Sequence, residues 1–365
     1  MSEETSIDRI RSGRSWDEFC DALKAAGKVV LSEAAPNDML NRSEGFRYLS
    51  RLTRAGLEAF IEYADPLAPE LHRPIHETVK IGADNPDNYY QNAQISGAYE
   101  YRIVGLRNTI HYLDFATQTA GVASTGDSQQ SGHVDAADLE IADDGSFELL
   151  LSCEQKPGNW LRMVPETTQV IVRQTYLDRT SETPAELRIE RIGGEKRPSP
   201  LSPELVDKGL ASAVGLVAGC SNLFAGWVKG FQAHTNELPR FDDSVSMGAG
   251  GDPNICYYHS YWRLGPEEAL VIEVMPPDCR SWNFQLDNHW MESLDYRYFR
   301  VTINKHTARY EPDGSLRIIV AHADPGHPNW IETAAHLQGT MCFRWIRAEL
   351  HPQPRCKLVK FSELV

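Results

Sequence analysis

The sequence predicts a mainly β protein with helical additions, an α+β fold that contains two related β-sandwich units. Short segments in which apolar and polar side chains alternate recur from about residue 89 onward, as expected for half-buried strands. Helical periodicity is confined to the N-terminal region and one central stretch. Several features of the first strand-rich region recur in the second, and the 365 residues are enough for about two domains.

The first predicted element is a helical N-terminal region, residues 1–83. Apolar side chains within residues 16–26 fall at helical spacing, and Ser15 is placed to cap that helix. A second apolar stripe runs through residues 41–63 and stops before Pro66, because proline cannot continue a helix. We therefore expect two main helices ahead of the first strand.

The first β-sandwich unit is predicted over residues 84–193. An alternating segment at residues 99–104 lies near its beginning, where Tyr99, Tyr101 and Ile103 face one way and Glu100, Arg102 and Val104 face the other. Further strand-like runs cover residues 146–153, 169–176 and 186–191. Turn residues separate these runs, which is typical of an antiparallel sandwich.

Residues 194–251 are predicted to form a long helix followed by a linker. Ser202 can cap the helix, and Pro203 suits its first turn. Leu210–Val228 is a run of 19 residues without a charge, as in a membrane helix, but its Ser, Asn, Ala and Gly residues gain little in lipid. We expect a soluble, mostly buried helix that bridges the two units, and a flexible glycine-rich linker at residues 248–251.

The second unit is predicted over residues 252–365, and an internal repeat relates it to the first. A Tyr-Tyr pair, Asp-Gly-Ser, Asn-Trp and an arginine occur in the same order in both units. They begin at residues 89, 144, 159 and 173 and again at 257, 313, 329 and 344, so the offset changes only from 168 to 171 residues. We expect the units to superpose, with Asp144 over Asp313 and Trp160 over Trp330.

The run from Asp313 to Arg344 combines Asp-Gly-Ser, a strand, Pro-Gly-x-x-Asn-Trp and an arginine-bearing strand. This combination resembles the bacterial family of domains of unknown function numbered 1214, and residues 159–162 are a weaker echo of it in the first unit. The resemblance implies a β-sandwich of the jelly-roll type. It implies no activity and supplies no catalytic residues.

The charge of the chain limits its partners. The sequence has 51 acidic and 36 basic residues, a formal charge of −15, and an acidic surface repels phosphate backbones and anionic lipid headgroups. We therefore expect a small-molecule substrate rather than nucleic acid or a membrane. The sequence leaves a homo-oligomer open.

The cysteines and the first residues both predict a cytoplasmic protein. The 7 cysteines are scattered and odd in number, without a C-x-x-C pair, which argues against a disulfide framework and a thiolate zinc site. The first residues are charged and lack the apolar stretch of a signal peptide. Phosphate-binding glycine motifs and the catalytic-serine motif are missing from the sequence, so no cofactor is expected.

The predicted active site lies in the second unit, where polar residues lack a counterpart in the first. Residues 281–290 alternate, so that Asn283, Gln285, Asp287 and His289 share one strand face, which is either a solvated surface or a pocket floor. Another histidine ends a later strand and is either a core residue or a general base beside a carboxylate. The predicted catalytic residues are Asp287, His289, His322 and Asp324.

Aromatic, amide and arginine side chains around these residues are the predicted substrate-binding groups. Tryptophans would form apolar walls, and an arginine on a tryptophan-rich sheet can stack on an indole or bind a carboxylate. Pairing with surface acids is the alternative for that arginine. The predicted substrate-binding residues are Trp282, Asn288, Trp290, Trp330 and Arg344.

A separate cluster of histidine and aspartate occurs in the first unit: His111, Asp114, His133, Asp135 and Asp138. Imidazole and carboxylate ligands suit divalent metals such as manganese, zinc or iron. The spacing defines no ligand set, and solvated loop charges are the alternative interpretation. We assign no metal ligands and leave open whether a metal binds near His111, His133 and Asp135.

Three function classes follow from these features. The first is a metal-independent hydrolase or lyase that acts on a small organic, lipid-derived or sugar-like substrate by His/Asp acid–base chemistry. The second is a carbohydrate- or hydrophobe-binding protein without turnover, which the 8 Trp and 14 Tyr favour. The third is a structural or assembly subunit. A chain of this length without an export signal favours the enzyme.

Overall fold

The computed structural model describes residues 4–119, 130–194 and 197–364. Its N-terminal region is helical, as predicted, and the helix bounds are α1 (Ser6–Ser12), α2 (Arg14–Ala26) and α3 (Met39–Leu57). A π-helical turn, Glu58–Glu62, extends α3 and ends before Pro66. Ser15 does not cap α2, because the helix begins one residue earlier and the Ser15 hydroxyl donates to Asp207 at 2.6 Å.

The first unit is a sandwich of two four-stranded sheets, within the part of the chain that the structure describes. Its strands are β1 (Asn88–Gln94), β2 (Tyr101–Leu106), β3 (Tyr112–Gln118), β4 (Gln130–Asp135), β5 (Ser146–Ser152), β6 (Trp160–Arg162), β7 (Gln169–Thr175) and β8 (Glu186–Arg191). The sheet orders are β1-β7-β3-β4 and β6-β5-β2-β8. Phe115, Leu149 and Val172 belong to the core between the sheets.

The second unit repeats this architecture. Its strands are β9 (Ile255–Arg263), β10 (Glu268–Val274), β11 (Cys279–Leu286), β12 (Thr302–Asn304), β13 (Leu316–Ala321), β14 (Trp330–Glu332), β15 (Gln338–Ala348) and β16 (Arg355–Lys360). The sheet orders are β9-β15-β11-β12 and β14-β13-β10-β16. Each strand of the first unit thus has its equivalent eight strands later, and the predicted duplication into two sandwich units is confirmed.

The repeated Asn-Trp pairs make equivalent contacts in both units. The Asn159 amide bonds the backbones of Glu140 and Glu148, and the Asn329 amide bonds those of Arg309 and Arg317. The tryptophan that follows begins a short parallel strand, β6 or β14. The asparagine therefore ties a loop to the neighbouring strand.

The long predicted helix is α4 (Pro203–Phe231), with Ser202 as its cap. In the described residues it is the one helix that could cross a membrane by length and composition. In this fold, however, Val217, Phe224 and Val228 pack in a cluster with side chains of the N-terminal helices. Nine of its 29 residues are buried. The expectation of a mostly buried helix is therefore wrong in degree, since α4 covers one side of the fold and leaves part of its surface exposed.

Two short segments cross between the units, and each contacts the arginine of the opposite unit. Residues 82–85 precede β1, and the carbonyl of Ala83 accepts from Arg344 Nη2 at 2.5 Å. Residues 250–253 precede β9, and the carbonyl of Gly250 accepts from Arg173 Nη2 at 2.5 Å. The glycine-rich residues expected to be a flexible linker thus hold a defined place. They follow the short helix α5 (Asp243–Gly248).

Candidate functional site

A cavity of about 260 Å³, which we call the inter-unit cavity, lies between the two units and beneath the helices. Strands β1 and β7 of the first unit and β9 and β15 of the second supply its polar floor. Amides, two arginines, two tyrosines and a histidine line this floor. Side chains of α3 and α4, including Leu216, Phe224 and Trp227, form an apolar roof. A concave site with an apolar wall and a few converging polar groups is typical of a small-molecule site.

Each unit contributes one Arg–Tyr pair to the cavity floor. Tyr90 lies opposite Arg173 on β1 and β7, and Tyr257 lies opposite Arg344 on β9 and β15. Each phenol oxygen accepts a backbone N–H, from Asn85 at 3.0 Å or from Asp252 at 3.3 Å. The repeated tyrosines and arginines of the sequence are therefore brought together at the boundary between the units.

Both phenols are available as hydrogen-bond donors. Burial raises the pKa of Tyr90 and that of Tyr257, so both keep their protons at neutral pH. Within the described residues neither phenol has an acceptor for that proton. A ligand oxygen in the cavity could accept from them.

The two arginines differ in how their charge is compensated. Arg173 Nη1 lies 3.3 Å from the carboxylate of Asp114. At the equivalent position on β11 the second unit carries Asn283, so that Arg344 bonds the oxygens of Gln285 at 2.6 Å and Asn283 at 3.4 Å. No described carboxylate lies within ion-pair distance of Arg344, which is only 3% exposed.

Asp287 does not supply the missing charge. It accepts a hydrogen bond from Gln285 at 2.5 Å, and burial raises its pKa to about 8. It is therefore mostly protonated at neutral pH. A buried cation without an ionised partner is costly, because water no longer solvates it. The Arg344 side of the cavity is thus suited to an anion.

His72 lines the cavity and has two buried ring nitrogens without a partner among the described residues. His259 is a second cavity histidine with unused hydrogen-bonding capacity. Its ring stacks between Phe231 and Tyr257, at centroid distances of 5.5 and 5.7 Å. Its Nδ1 is buried and has no partner among the described residues. Burial lowers the pKa of His259 to about 3, so the imidazole is neutral and a weak base. It can bind a polar group of a ligand but is poorly suited to proton abstraction.

The predicted alternation of β11 is confirmed. Trp282, Phe284 and Leu286 belong to the sandwich core. Asn283, Gln285 and Asp287 are on the opposite face, and that face is buried beneath the crossing segment that contains Asp84 and Asn85. The face is therefore neither a solvated surface nor, apart from its bonds to Arg344, an open pocket floor.

The structure does not bring the predicted catalytic residues together. His289 follows β11 and bonds Tyr261 at 3.0 Å, beside a separate void of about 20 Å³. His322 follows β13 in the other sheet and bonds Thr333 at 2.8 Å and the carbonyl of Gly265 at 3.2 Å. Asp324 is exposed and caps a turn by accepting from the Gly326 N–H. The prediction that these residues form one active site is therefore wrong, because the two histidines follow strands of different sheets.

Most of the predicted substrate-binding residues have structural contacts instead. The indole N–H groups of Trp282, Trp290 and Trp330 donate to Tyr310, Asn41 and Ala321, respectively. Asn288 bonds Glu292 and the backbone of its own turn. Among the nine predicted site residues, all of which are described, Arg344 is the one that lines the inter-unit cavity.

The predicted histidine–aspartate cluster of the first unit is brought together only in part. His133 Nε2 lies 3.2 Å from Asp114, and Asp252 from the segment before β9 joins them at 3.8 Å from His133. Asp135 instead pairs with Arg347 at 2.6 Å, and Asp138 is on the exposed side of that pair. His111 is not a member of the three-residue group.

Apart from Arg344, the sequence predicted none of the cavity residues, because residues shared by both copies were interpreted as scaffold. Tyr90, Arg173, Tyr257 and Arg344 are shared, yet they meet at the boundary between the copies. The recurring Tyr and Arg positions were the available signal. The sequence did not indicate that Asp252 contacts the first unit, because Asp252 is far along the chain from the residues it meets there.

Fold and cavity together define a duplicated β-sandwich protein with a helical cover. The sequence profile of a family described as protein of unknown function, DUF1214, matches residues 269–349, as the Asp313–Arg344 run predicted. An uncharacterised protein from Burkholderia cenocepacia, known from its crystal structure, is similar over nearly the whole chain. It has 50% sequence identity and a TM-score of 0.96, with 97% of this chain and 99% of that chain covered. This chain therefore belongs to the same family as the Burkholderia protein, and its residues 269–349 match DUF1214.

A more distant similarity exists to the VPA0106 protein from Vibrio parahaemolyticus. It has 12% identity, covers 86% of this chain and 98% of that chain, and has a TM-score of 0.49, which is too low to support an argument. A search of curated proteins found no match to this sequence. The comparisons thus identify the family and no activity.

Proposed function

We propose that this protein binds a small amphipathic organic anion, a carboxylate with an apolar body, in the cavity between its two units. The observation that carries the proposal is Arg344, a buried guanidinium at the cavity without an ionised partner among the described residues. A carboxylate would accept its free N–H groups and offset its charge, and guanidinium and carboxylate match in geometry.

The rest of the cavity supports an anion of this chemistry. Tyr90 and Tyr257 offer phenol protons to the carboxylate oxygens, and the neutral His259 offers one more polar contact. The apolar roof on α4, with Phe224 and Trp227, suits a hydrocarbon or aromatic body. At about 260 Å³ the cavity is just below the roughly 300–1,000 Å³ usual for drug-sized ligands, which favours a small molecule.

Binding without turnover has more support than the hydrolase or lyase that the sequence favoured. Acid–base catalysis needs a group whose pKa is near the working pH. Burial lowers the pKa of both histidines that line the cavity, His72 and His259, and lowers that of His259 to about 3. The predicted His/Asp residues are elsewhere. We therefore propose the binding function and not the acid–base enzyme.

A cytoplasmic location fits this proposal. The 7 cysteines are all free. A reducing compartment keeps thiols in that state. The net charge of −15 argues against a phosphate-rich partner, so a soluble metabolite-like anion is the expected ligand class.

The test is calorimetric titration of the full chain with hexanoate, octanoate and phenylacetate, each compared with its uncharged amide. We expect the carboxylate to bind at least tenfold more tightly than the amide. Arg344→Gln should remove that preference, and Arg173→Gln, whose charge Asp114 already offsets, should reduce it less. Equal affinities for acid and amide, or no saturable binding by any of the three acids, would contradict the proposal.

A further inference from the structure

Outside the inter-unit cavity, we infer that the first unit holds a divalent transition-metal site formed by Asp114, His133 and Asp252. One ligand atom from each residue lies within 4.8 Å of the other two. The His133 Nε2 is 3.2 Å from Asp114 Oδ2 and 3.8 Å from Asp252 Oδ1. Two atoms bound to one metal at about 2.1 Å can be at most about 4.2 Å apart, so the two distances from His133 Nε2 fit a shared ion.

An unpartnered carboxylate oxygen is the second observation that supports a cation site. Asp114 is fully buried, and its Oδ1 has no hydrogen-bond partner among the described residues. Its other oxygen already contacts Arg173 and His133. Buried polar atoms are rarely left unpaired, and a bound ion can satisfy one that lacks a protein partner. The Asp252 carboxylate is also buried, so two acids share a site of low polarity.

The second unit shows that the scaffold does not need these ligands. Strand register places Asn283 at the position of Asp114 and Thr302 at the position of His133. The amide and the hydroxyl keep the fold but offer no charged ligand and no imidazole. The acid and the histidine of the first unit therefore have a role beyond holding the sheet together.

The donor set defines the class of metal. One imidazole and two carboxylates, with no thiolate, suit zinc, manganese, iron or cobalt rather than a soft ion. The three protein ligands leave further coordination positions for water or a small ligand. Asp252 also lines a surface cleft of about 330 Å³ beside Asn254 and Arg347, which gives an ion a path to the site.

The test uses Co²⁺ alone as the probe, followed by equilibrium dialysis and visible absorption of the full-length protein. We expect one bound ion per chain, with ligand-field bands and no sulfur-to-metal charge-transfer band. Asp252→Asn and His133→Gln, two variants of nearly unchanged shape, should each weaken binding at least tenfold. Thr302→Ala, at the equivalent position of the second unit, is the matched control and should bind as the wild type does.

Three results would overturn the inference. They are the lack of saturable Co²⁺ binding at millimolar concentration, undiminished binding in both ligand variants, and a spectrum dominated by thiolate. Circular dichroism of each variant checks its fold. If one variant does not fold, the other decides the outcome. Carboxylate titration of the same samples gives a separate readout, so failure of the metal site would not be confused with failure of anion binding in the inter-unit cavity.

Discussion

The two units differ most informatively at their paired arginines. In the first unit Arg173 faces the carboxylate of Asp114, whereas in the second unit Arg344 faces the amide of Asn283. Strand, register and neighbouring tyrosine are the same in both. One exchanged atom in the side chain opposite therefore decides whether the buried charge is offset within the protein or is available to a ligand.

The same kind of exchange recurs along the cavity strands. Asp287 at the end of β11 has Gln118 as its equivalent, and His259 on β9 has Asn92. The first unit carries amides where the second carries a carboxyl and an imidazole. Duplication has preserved the scaffold while the polar groups at the shared boundary have diverged. Substitutions that make one unit resemble the other should therefore separate scaffold from function.

The largest expected effect is that of Asp287→Asn on how the free energy of unfolding depends on pH. Burial raises the pKa of Asp287 to about 8, above its ordinary value near 4, so the folded protein binds the proton more tightly than the unfolded chain does. The stabilisation that the folded protein gains from this tighter proton binding by Asp287 is complete below about pH 4 and is lost as the pH rises toward 8. The wild type should lose up to about 1.4 kcal/mol per pH unit in this range.

Urea unfolding at several pH values measures this dependence. The Asn variant mimics the protonated acid and should have the flatter profile between pH 5 and 8. Parallel profiles for the two proteins would mean that Asp287 is ionised in the fold, and Arg344 would then have an internal counter-charge. The comparison between the two arginines would fail in that case.

The next effect concerns the repeated asparagines. Asn329 is fully buried, whereas Asn159 is partly exposed, although both make the same three hydrogen bonds. Asn329→Ala should cost about 3 kcal/mol, because the lost side chain is fully buried and water has little access to replace its hydrogen bonds. Asn159→Ala should cost roughly 1 kcal/mol, since water can replace the lost bonds. Chemical denaturation checks both values, and equal losses would show that burial does not distinguish the two loops.

The third effect tests the arginine comparison directly. Asn283→Asp gives Arg344 the carboxylate that Arg173 already has. An internal counter-charge should compete with the ligand and lower carboxylate affinity by about tenfold, or 1.4 kcal/mol. Calorimetry with the best-binding acid of the series measures the change, and thermal unfolding controls for folding. Unchanged affinity would mean that the charge of Arg344 is not what attracts the anion.

Sequence alone predicted the fold better than the site, for a physical reason. Asp-Gly-Ser and Asn-Trp act locally, on a turn and on the adjacent strand, so their recurrence reports the topology directly. The cavity is formed by contacts between residues far apart in the chain, such as Ala83 with Arg344. No local sequence pattern indicates that the polar face of β11 is buried. Nor does one indicate that Asp252 contacts residues of the first unit. Residues such as His322 stood out in sequence only because the other copy lacks them.

The smallest expected effect is that of His259→Asn, which gives β9 the amide found at the equivalent Asn92 of β1. The imidazole is neutral, and its buried Nδ1 lacks a partner among the described residues, so its loss should change stability by less than about 1 kcal/mol. An amide can still bond a ligand but cannot stack as the ring does on Phe231 and Tyr257. We therefore expect carboxylate affinity to fall only about threefold, and to stay independent of pH from 6 to 7. A loss of affinity below pH 7 that only the wild type shows would instead assign a titrating role to His259 and restore it as a candidate acid–base group.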